Sequence, residues 1–516
     1  MMQTIHPETW KQDLPAFQEK TAAFYAGELD KAAYKGFSGY YGSYAQKGGS
    51  ANMLRLRMPA GRVTAEKLAF VARAIRQYQV GRVHFTTCQT IQFHDLDGPT
   101  TCAVMSDALD AGIVTIGGGG DFPRNVMCSP LSGVEKEEYF NVLPWAEAAG
   151  DYLMTFIKAE KMPRKLKVGF SNSPANLTHA TYRDLGFAAR ADGLFDVYSA
   201  GGLGNNPRFG VKVAEGVAPA KILYYIKAMW LTFRAYGNYE NRGKARTRYM
   251  QEALGGPEAY AAAFNEKLAE VFASGEDLDL DISPVETVKA GDGIAVSDRR
   301  VMEQKQAGLY TVSWHPIGGQ PAPAALCALA DALVEMPGAE MRLSPDETAY
   351  FVYLTGAEAR RVLDLTVGGA ETLFETSVSC IGGTVCQVGM RDSQGLLSAC
   401  VRAVDQAGIP DGALPQIHIS GCPSSCGTHQ TGALGFRGAS KVLDGKPRAA
   451  FTLFVGGDSR QGSETMGKEL GVMLEEQIPA FLVAVGQAAA KAGGFFAWRA
   501  VEPDALEEIA GRFLHI

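Results

Sequence analysis

The sequence predicts a mixed α+β fold built on an internal duplication. Three observations carry this prediction. Two parallel stretches begin at Leu54 and Thr311, a second similar pair begins at Lys167 and His418, and each copy has an apolar strand that ends in Gly-Gly. Matched features in the same order are the signature of repeated units, so we expect two copies of a module of roughly 250 residues.

Each copy opens with a strand, a Pro/Gly turn, an amphipathic helix and a strand of alternating apolar residues. Pro59 matches Pro316 and Phe93 matches Phe351. This order is typical of a ferredoxin-like half-domain. The region from Met466 is predicted to be helical, with a break or kink at Pro479. The predicted organisation is an N-terminal extension at 1–49, half-domains at 50–115 and 305–375 that form one shared domain, and larger α/β domains at 116–304 and 376–516.

Composition excludes several classes of protein. The chain has 516 residues, of which 46% are hydrophobic and 20% charged, so it is neither disordered, collagen-like nor a coiled coil as a whole. Its net charge of −7 argues against a nucleic-acid partner. No apolar run reaches the roughly 20 residues of a membrane span. The N-terminus lacks a basic start followed by an apolar core, so we expect a cytoplasmic protein with no membrane partner.

The cysteines point to a metal site. Nine cysteines argue against a disulfide framework, and five of them fall between positions 380 and 426. Cys380 and Cys386 form C-x5-C, whereas Cys422 and Cys426 form C-x3-C. Four thiolates suit zinc or an iron–sulfur cluster, but structural zinc usually has shorter gaps than x5. The spacing favours a 4Fe–4S cluster, with zinc and buried free thiols as alternatives.

The other cysteines lie in apolar runs and are predicted to be small core residues. They are Cys88, Cys102, Cys128, Cys327 and Cys400.

Basic residues cluster in three short segments of the cysteine-free half. Arg55 and Arg57 alternate along one predicted strand, and Lys165 and Lys167 along another, so each pair shares a face. Arg124 follows a run of four glycines. Such cations commonly face solvent, but their recurrence favours convergence on a small anion. The glycine-rich runs do not give G-x-G-x-x-G between a strand and a helix, so we expect electrons to come from a separate protein.

These motifs resemble the sirohaem- and 4Fe–4S-containing sulfite and nitrite reductases. GCPSSCG with C-x5-C upstream, LRLRMPAG, RNV and PRKLK, in the family's order, carry the resemblance from about Leu54 to Gly457. It implies the trilobed sirohaem reductase fold with pseudo-two-fold symmetry, and sirohaem and a 4Fe–4S cluster as cofactors. The implied cluster ligands are Cys380, Cys386, Cys422 and Cys426, and Cys426 is also the axial ligand of the sirohaem iron.

The resemblance also implies an activity and its residues. Sulfite would be reduced to sulfide by six electrons from ferredoxin or a reductase subunit. Reduction of nitrite to ammonia is the alternative, and a non-catalytic Fe–S or zinc protein a further one. Lys167 favours sulfite, because ferredoxin–nitrite reductases commonly carry Asn there, whereas CIGGTVCQVGMRDSQGLL resembles NAD(P)H-linked nitrite reductases. The implied substrate-binding residues are Arg55, Arg124, Lys165 and Lys167, and the implied sirohaem contacts are Thr86, Gln89, Asn125 and Cys426.

Two positions depart from the family pattern. Cys88 stands where the family commonly has Arg, and His84 where it often has another basic residue; both positions help to hold sirohaem carboxylates. A different tetrapyrrole or substrate is therefore a third hypothesis. His429 is expected to be structural rather than a proton relay. The cations that could compensate, or form a solvated helix face, are Arg242, Lys244, Arg246 and Arg248.

Overall fold

The computed structural model describes residues 7–283 and 288–515. Within these ranges the chain folds as a mixed α+β protein with four sheets, which confirms the predicted class. Two sheets belong to small half-domains and two to larger lobes. The elements follow in chain order.

The first half-domain is an antiparallel sheet covered by helices. Its elements are α1 (Pro7–Lys11), α2 (Leu14–Tyr25), α3 (Lys31–Ser38), β1 (Ser43–Ala45), β2 (Asn52–Leu56), β3 (Arg62–Val63), α4 (Ala65–Tyr78), β4 (Arg82–Phe85), β5 (Ile91–Leu96) and α5 (Gly98–Asp110). The sheet has the order β1-β2-β5-β4. The Thr64 side chain caps the first turn of α4, and that helix ends where Gln79 adopts a left-handed φ of 53°. Asp97 caps α5 in the same way.

The first lobe follows. Its elements are β6 (Met127–Cys128), α6 (Leu143–Met154), β7 (Val168–Ser171), β8 (Leu185–Ala189), β9 (Phe195–Ser199), β10 (Val211–Val217), α7 (Ile222–Tyr236), α8 (Tyr249–Ala253) and α9 (Pro257–Ala273). Strands β6, β7 and β8 are parallel, and β9 and β10 continue the sheet antiparallel. Phe170, Phe187 and Phe195 are fully buried in its core.

The sheet of the second half-domain includes a strand from the first half-domain. Its elements are β11 (Val301–Glu303), β12 (Tyr310–Trp314), α10 (Pro323–Val334), β13 (Glu340–Leu343), β14 (Ala349–Leu354) and α11 (Gly356–Leu365). Its sheet has the order β11-β12-β14-β13-β3, so β3 of the first copy completes it, with Val63 opposite Met341. Helices α4 and α10 pack together. One apolar core contains both Phe93 and Phe351, so the two half-domains share a hydrophobic core.

The second lobe repeats the topology of the first. Its elements are β15 (Val378–Ser379), α12 (Ser393–Gln406), β16 (Ile417–Ser420), β17 (Leu434–Leu443), β18 (Lys446–Val455), β19 (Lys468–Leu474), α13 (Ile478–Lys491), α14 (Phe495–Val501), α15 (Ala505–Gly511) and β20 (Leu514–His515). Strands β15, β16 and β17 are parallel, and the remaining strands continue antiparallel.

The pseudo-symmetry extends to single residues. A Cβ at Gly186 would lie 1.8 Å from the carbonyl oxygen of Ala180, and a Cβ at Gly435 would lie 1.8 Å from that of His429. Only glycine tolerates such a close approach of two backbone segments. These matched constraints in β8 and β17 confirm the duplication predicted from the sequence.

The C-terminal prediction is partly wrong. The region from Met466 is not helical from its start, because Lys468–Leu474 forms β19, which pairs with β18 along the sheet. Pairing with a strand distant in sequence overrides the local pattern. Helix α13 begins at Ile478, and Pro479 neither breaks nor kinks it because it lies in the first turn, where a missing N–H costs nothing.

Helices α13 and α14 cover the second lobe and bury Phe481, Val485 and Trp498 in its core. Across residues 7–283 and 288–515, no single helix combines the length and apolar character of a membrane span. A bent pair, Glu475–Lys491 with Phe495–Val501 at 76°, meets those two criteria when taken together.

Candidate active site

A cavity of about 960 Å³ lies where both half-domains and both lobes meet. Its volume is at the upper end for sites that hold organic ligands. The predicted cysteines and cations converge on it, although they come from distant parts of the chain. Its lining includes Arg55, Thr86, Cys88, Arg124, Asn125, Lys165, Lys167, Cys380, Cys386, Cys422 and Cys426.

The four cysteines lie on loops at one edge of the second lobe's sheet. Cys380 directly follows β15, and Cys422 comes just after β16. These strands are parallel neighbours, so their carboxyl ends open at the same edge. The Gly421 backbone N–H donates to the Cys380 sulfur at 3.2 Å. The loop that carries Cys426 turns through Ser425, whose φ is 54°.

The thiols disfavour each other's ionisation. Burial raises the pKa of Cys380. Burial and the neighbouring Cys380 raise the pKa of Cys426 to about 12, although Lys165 opposes this. A bound cation supplies the charge that lets such thiols ionise, so the group suits a metal centre. Within the part of the chain that the structure describes, no three His, Cys, Asp or Glu side chains lie close enough to share a single metal ion.

Arg55 and Arg124 are held together by the glycine run that precedes Arg124. The Gly118 carbonyl oxygen accepts hydrogen bonds from both guanidinium groups, at 2.7 Å from Arg124 Nη1. A Cβ at Gly118 would lie 2.7 Å from the Thr115 carbonyl oxygen, so a side chain there would push this carbonyl away. The prediction that Arg57 shares a strand with Arg55 is wrong, because β2 ends at Leu56. Arg57 follows it directly, is buried and donates to the Pro123 carbonyl at 2.9 Å. Arg57 therefore fixes the loop.

The cavity wall is strongly cationic. Burial and neighbouring Lys167 lower the pKa of Lys165 well below its usual value. Burial and nearby Arg55 lower the pKa of Arg124 to about 10. Asp184, which is 1% exposed, pairs with Arg246 at 3.0 Å and accepts from the Lys167 backbone N–H. Several buried cations with so little counter-charge favour a bound anion.

The prediction that Cys88 is a core residue is wrong. Its side chain lines the cavity, and Lys167 Nζ donates to its sulfur at 3.1 Å. Lys167 lies 79 positions away, so the apolar context of Cys88 could not reveal this contact. The same prediction holds for Cys128, Cys327 and Cys400, which are buried.

Thr86 and Asn125 line the cavity, but Gln89 does not. Asn125 Nδ2 donates to the Cys88 carbonyl at 3.1 Å. Gln89 is fully buried, and its Nε2 donates to the Cys128 carbonyl at 2.7 Å. Its amide is therefore engaged within the protein, and contact of these three residues with a cofactor stays a prediction.

Two functional candidates were missed from sequence. Glu347, fully buried in the wall, lies 3.5 Å from His84 Nε2, and burial raises the pKa of its carboxyl. Arg183 lines the cavity and has one buried Nη2 without a hydrogen-bond acceptor among the described residues. Glu347 lies in the second half-domain at the turn that corresponds to the Gln89 turn of the first. Both residues have left-handed backbone, with φ of 70° at Glu347 and 53° at Gln89. The internal duplication could have identified Glu347 as a candidate, because it aligns with Gln89. The sequence around Arg183 contains no motif that indicates a functional role.

The four basic residues between α7 and α8 lie in different environments. Arg242 pairs with Asp121 near the cavity mouth, and Lys244 is exposed. Arg246 lines the cavity with a buried, unpaired Nε. Arg248 is buried, so this segment is not a solvated helix face. His429 is also buried, and burial lowers its pKa to about 3. Neither of its ring nitrogens has a hydrogen-bond partner among the described residues, so its structural role stays a prediction.

Two segments of the chain match known protein families. Residues 44–111 match the family described as Nitrite/Sulfite reductase ferredoxin-like half domain, and residues 119–272 match the Nitrite and sulphite reductase 4Fe-4S domain.

Relatives agree with these matches. The chain is 25% identical over 435 residues to a ferredoxin–nitrite reductase of Synechococcus elongatus, covering 80% of this chain and 82% of that protein. It is 24% identical to a sulfite reductase [NADPH] hemoprotein beta-component of Vibrio atlanticus, covering 79% and 75%. The fold resembles that of the NirA protein of Mycobacterium tuberculosis, with a TM-score of 0.77, 21% identity and coverage of 95% and 94%.

The matched domains and the named relatives indicate an oxidoreductase, and the relatives imply a small anionic substrate. The two matched domains and the relatives named as nitrite and sulfite reductases support assignment of the chain to the sirohaem- and 4Fe–4S-containing family of sulfite and nitrite reductases.

The cavity fits both cofactors of this family, sirohaem and a 4Fe–4S cluster. The soft thiols of four cysteines at one edge suit the cluster. The unpaired buried N–H groups of Arg183 and Arg246 suit the carboxylates of sirohaem.

Proposed function

We propose that this protein reduces sulfite or nitrite by six electrons, to sulfide or ammonia. The observation that carries the proposal is the meeting of four thiols and four cations in one cavity. The thiols can hold an electron-transfer centre, and the cations can hold an oxyanion. Neither set of side chains alone would suffice for this reaction.

Cys380, Cys386, Cys422 and Cys426 are the proposed cluster ligands, and Cys426 the proposed link to the sirohaem iron. Cys426 is surrounded by the protein, but its side chain opens onto the cavity and is therefore the most exposed of the four. When bound, the sirohaem supplies the iron at which electrons reach the substrate.

Arg55, Arg124, Lys165 and Lys167 are the proposed substrate-binding residues. Their positive charges offset the charge of the oxyanion and orient its oxygen atoms. Burial lowers the pKa of Lys165, so this ammonium gives up its proton more readily than an exposed lysine. Lys165 can therefore donate a proton to an oxygen that leaves as water. Glu347, whose carboxyl has a raised pKa, can hold a further proton at the wall.

Electrons are proposed to come from ferredoxin or a reductase subunit, as the names of the relatives say of those proteins. The proposed compartment is the cytoplasm, where free thiols persist. A non-catalytic Fe–S or zinc protein would leave the buried cations unexplained. An altered tetrapyrrole is a further candidate, because Cys88 brings no positive charge to a position where the family commonly has Arg.

An anaerobic assay tests the proposal. The purified holoprotein is supplied with reduced methyl viologen and either sulfite or nitrite, after its visible spectrum and its extracted pigment have been recorded. We expect turnover of at least one anion, with sulfide or ammonia as product. A coloured protein that reduces neither anion would overturn the proposal, and a colourless protein with stoichiometric zinc would favour the binding-protein alternative.

A further inference from the structure

The contact between Cys88 and Lys167 lies within the proposed anion site. Lys167 Nζ donates to the Cys88 sulfur at 3.1 Å, and both side chains line the cavity. The Cys88 backbone is held on both sides. Its N–H donates to Thr86 Oγ1 at 3.3 Å, and its carbonyl accepts from Asn125 Nδ2 at 3.1 Å. The sulfur is therefore positioned by the fold rather than by a flexible loop.

The surroundings of Cys88 favour the thiolate. Burial raises the pKa of this thiol. The positive charges of Lys167, Arg183 and Arg55 together have a larger effect and lower the pKa to about 6. The charges that act on it most strongly are therefore all positive. Burial lowers the pKa of Lys167, and the neighbouring Cys88 opposes this change. The contact and the surrounding cations therefore favour a thiolate beside an ammonium at neutral pH.

This pair changes the charge that a substrate meets. Four cations in the site would favour an anion with two negative charges. The Cys88 thiolate cancels one positive charge and occupies an N–H of Lys167, which leaves Arg55, Arg124 and Lys165 to offset the substrate. Lys167 is the residue that favoured sulfite from sequence, and its pairing removes the basis of that preference.

We propose that the Cys88–Lys167 ion pair sets the charge preference of the anion site and tunes it towards nitrite, a monoanion, over sulfite, which carries up to two negative charges. This inference rests on the proposed function and names its substrate. Selection comes from removal of positive charge, because a dianion gains more from each added cation than a monoanion does.

Binding measurements on the oxidised holoenzyme test this idea. Dissociation constants for nitrite and for sulfite are measured at pH 7.5 from the change in the visible spectrum, for the wild type, Cys88→Ser and Cys88→Ala. Cys102→Ser is the matched control, since Cys102 lies on α5 outside the cavity lining. Both Cys88 variants remove one negative charge from the site. We expect them to bind sulfite about tenfold more tightly and nitrite only about threefold more tightly, because the Coulomb energy scales with the charge of the anion. Equal shifts for the two anions, or no shift, would overturn the proposal.

Alkylation of the wild-type holoenzyme supplies a measurement that needs no variant. Iodoacetamide labelling is followed by mass spectrometry on the peptides that contain Cys88 and Cys102. Burial raises the pKa of Cys102 to about 11, so it serves as an internal slow thiol. We expect Cys88 labelling to reach half its maximal rate near pH 6 and to be slowed by nitrite. Cys88 labelling that rises only near pH 9 would also overturn the proposal.

Failure of this inference can be told apart from failure of the proposed function. A wild type that binds both anions but reduces neither refutes the function, while its binding ratios still test Cys88. A wild type that turns over an anion, with binding ratios unchanged in both variants, refutes only the role of Cys88.

Discussion

Thr87 Oγ1 donates to the carbonyl oxygen of Cys426 at 2.9 Å, across 339 positions of the chain. This bond joins the turn between β4 and β5 of the first half-domain to the cysteine loop of the second lobe. The next residue, Cys88, contacts Lys167. One short turn therefore touches both the proposed cluster site and the proposed anion site.

Thr87→Val keeps the shape of the side chain but removes this donor. We expect the free energy of unfolding to fall by about 1 kcal/mol, the typical contribution of one hydrogen bond. Denaturant unfolding of the holoprotein would measure it. Thr9→Val, at an exposed position on α1, is the control and should change stability much less. A Thr87 variant as stable as this control would show that the bond contributes nothing.

Cys386→Ser tests the proposed cluster ligands. We expect a clear loss of iron and acid-labile sulfide per chain, because serine does not replace a soft thiolate well. Chemical analysis of anaerobically purified protein gives both quantities. Cys102→Ser should retain full iron content. If the Cys386 variant kept its iron and sulfide, this cysteine would not be a ligand.

Lys165→Met tests the cationic wall. Removal of a single group that stabilises developing charge commonly lowers rates about 10²–10³-fold, and we expect such a loss in kcat/KM for whichever anion is reduced. Lys446→Met, at an exposed position where β18 begins, should leave the rate unchanged. Equal rates in the two variants would remove Lys165 from the proposed mechanism.

Glu347→Gln tests the buried carboxyl. Because burial raises the pKa of Glu347 in the folded protein, its ionisation costs stability as pH rises past the unfolded value. Glutamine carries no such cost and can still accept from the Ser379 N–H, which Glu347 does at 3.0 Å. We expect the variant to gain stability relative to the wild type as the pH is raised from 5 to 8, measured as the free energy of unfolding. Parallel stability curves across that range would contradict this.

Gln89→Leu tests the buried amide. Gln89 bonds to both the N–H and the carbonyl of Cys128 and to the carbonyl of Leu343, so it joins the first half-domain, the first lobe and the second half-domain. Leucine would leave these buried groups unpaired, and we expect a loss of at least about 3 kcal/mol. Thermal unfolding would measure it. A loss below about 1 kcal/mol would mean that water replaces the amide.

The repeats and the spacing of residues in the sequence predict the fold class and the residues that line the cavity. Alternation predicts that Arg55 and Arg57 share a face, and both line the cavity although β2 ends before Arg57. It could not predict that Arg57 would bind backbone carbonyls, because the accepting loop lies more than 60 positions away. The sequence around Cys88 predicts a core position, because its partner Lys167 is distant in sequence and contacts it only in the folded protein. Local patterns specify faces and turns, whereas partners across the lobes depend on the tertiary fold.

The placement of β3 makes each half of the chain depend on the other. A strand of the first copy completes the sheet of the second, with Arg62 opposite Arg342. Separated halves would leave β13 as an open sheet edge and β3 without a partner strand. Such an edge is a template for pairing with other chains, so we expect either half expressed alone to aggregate.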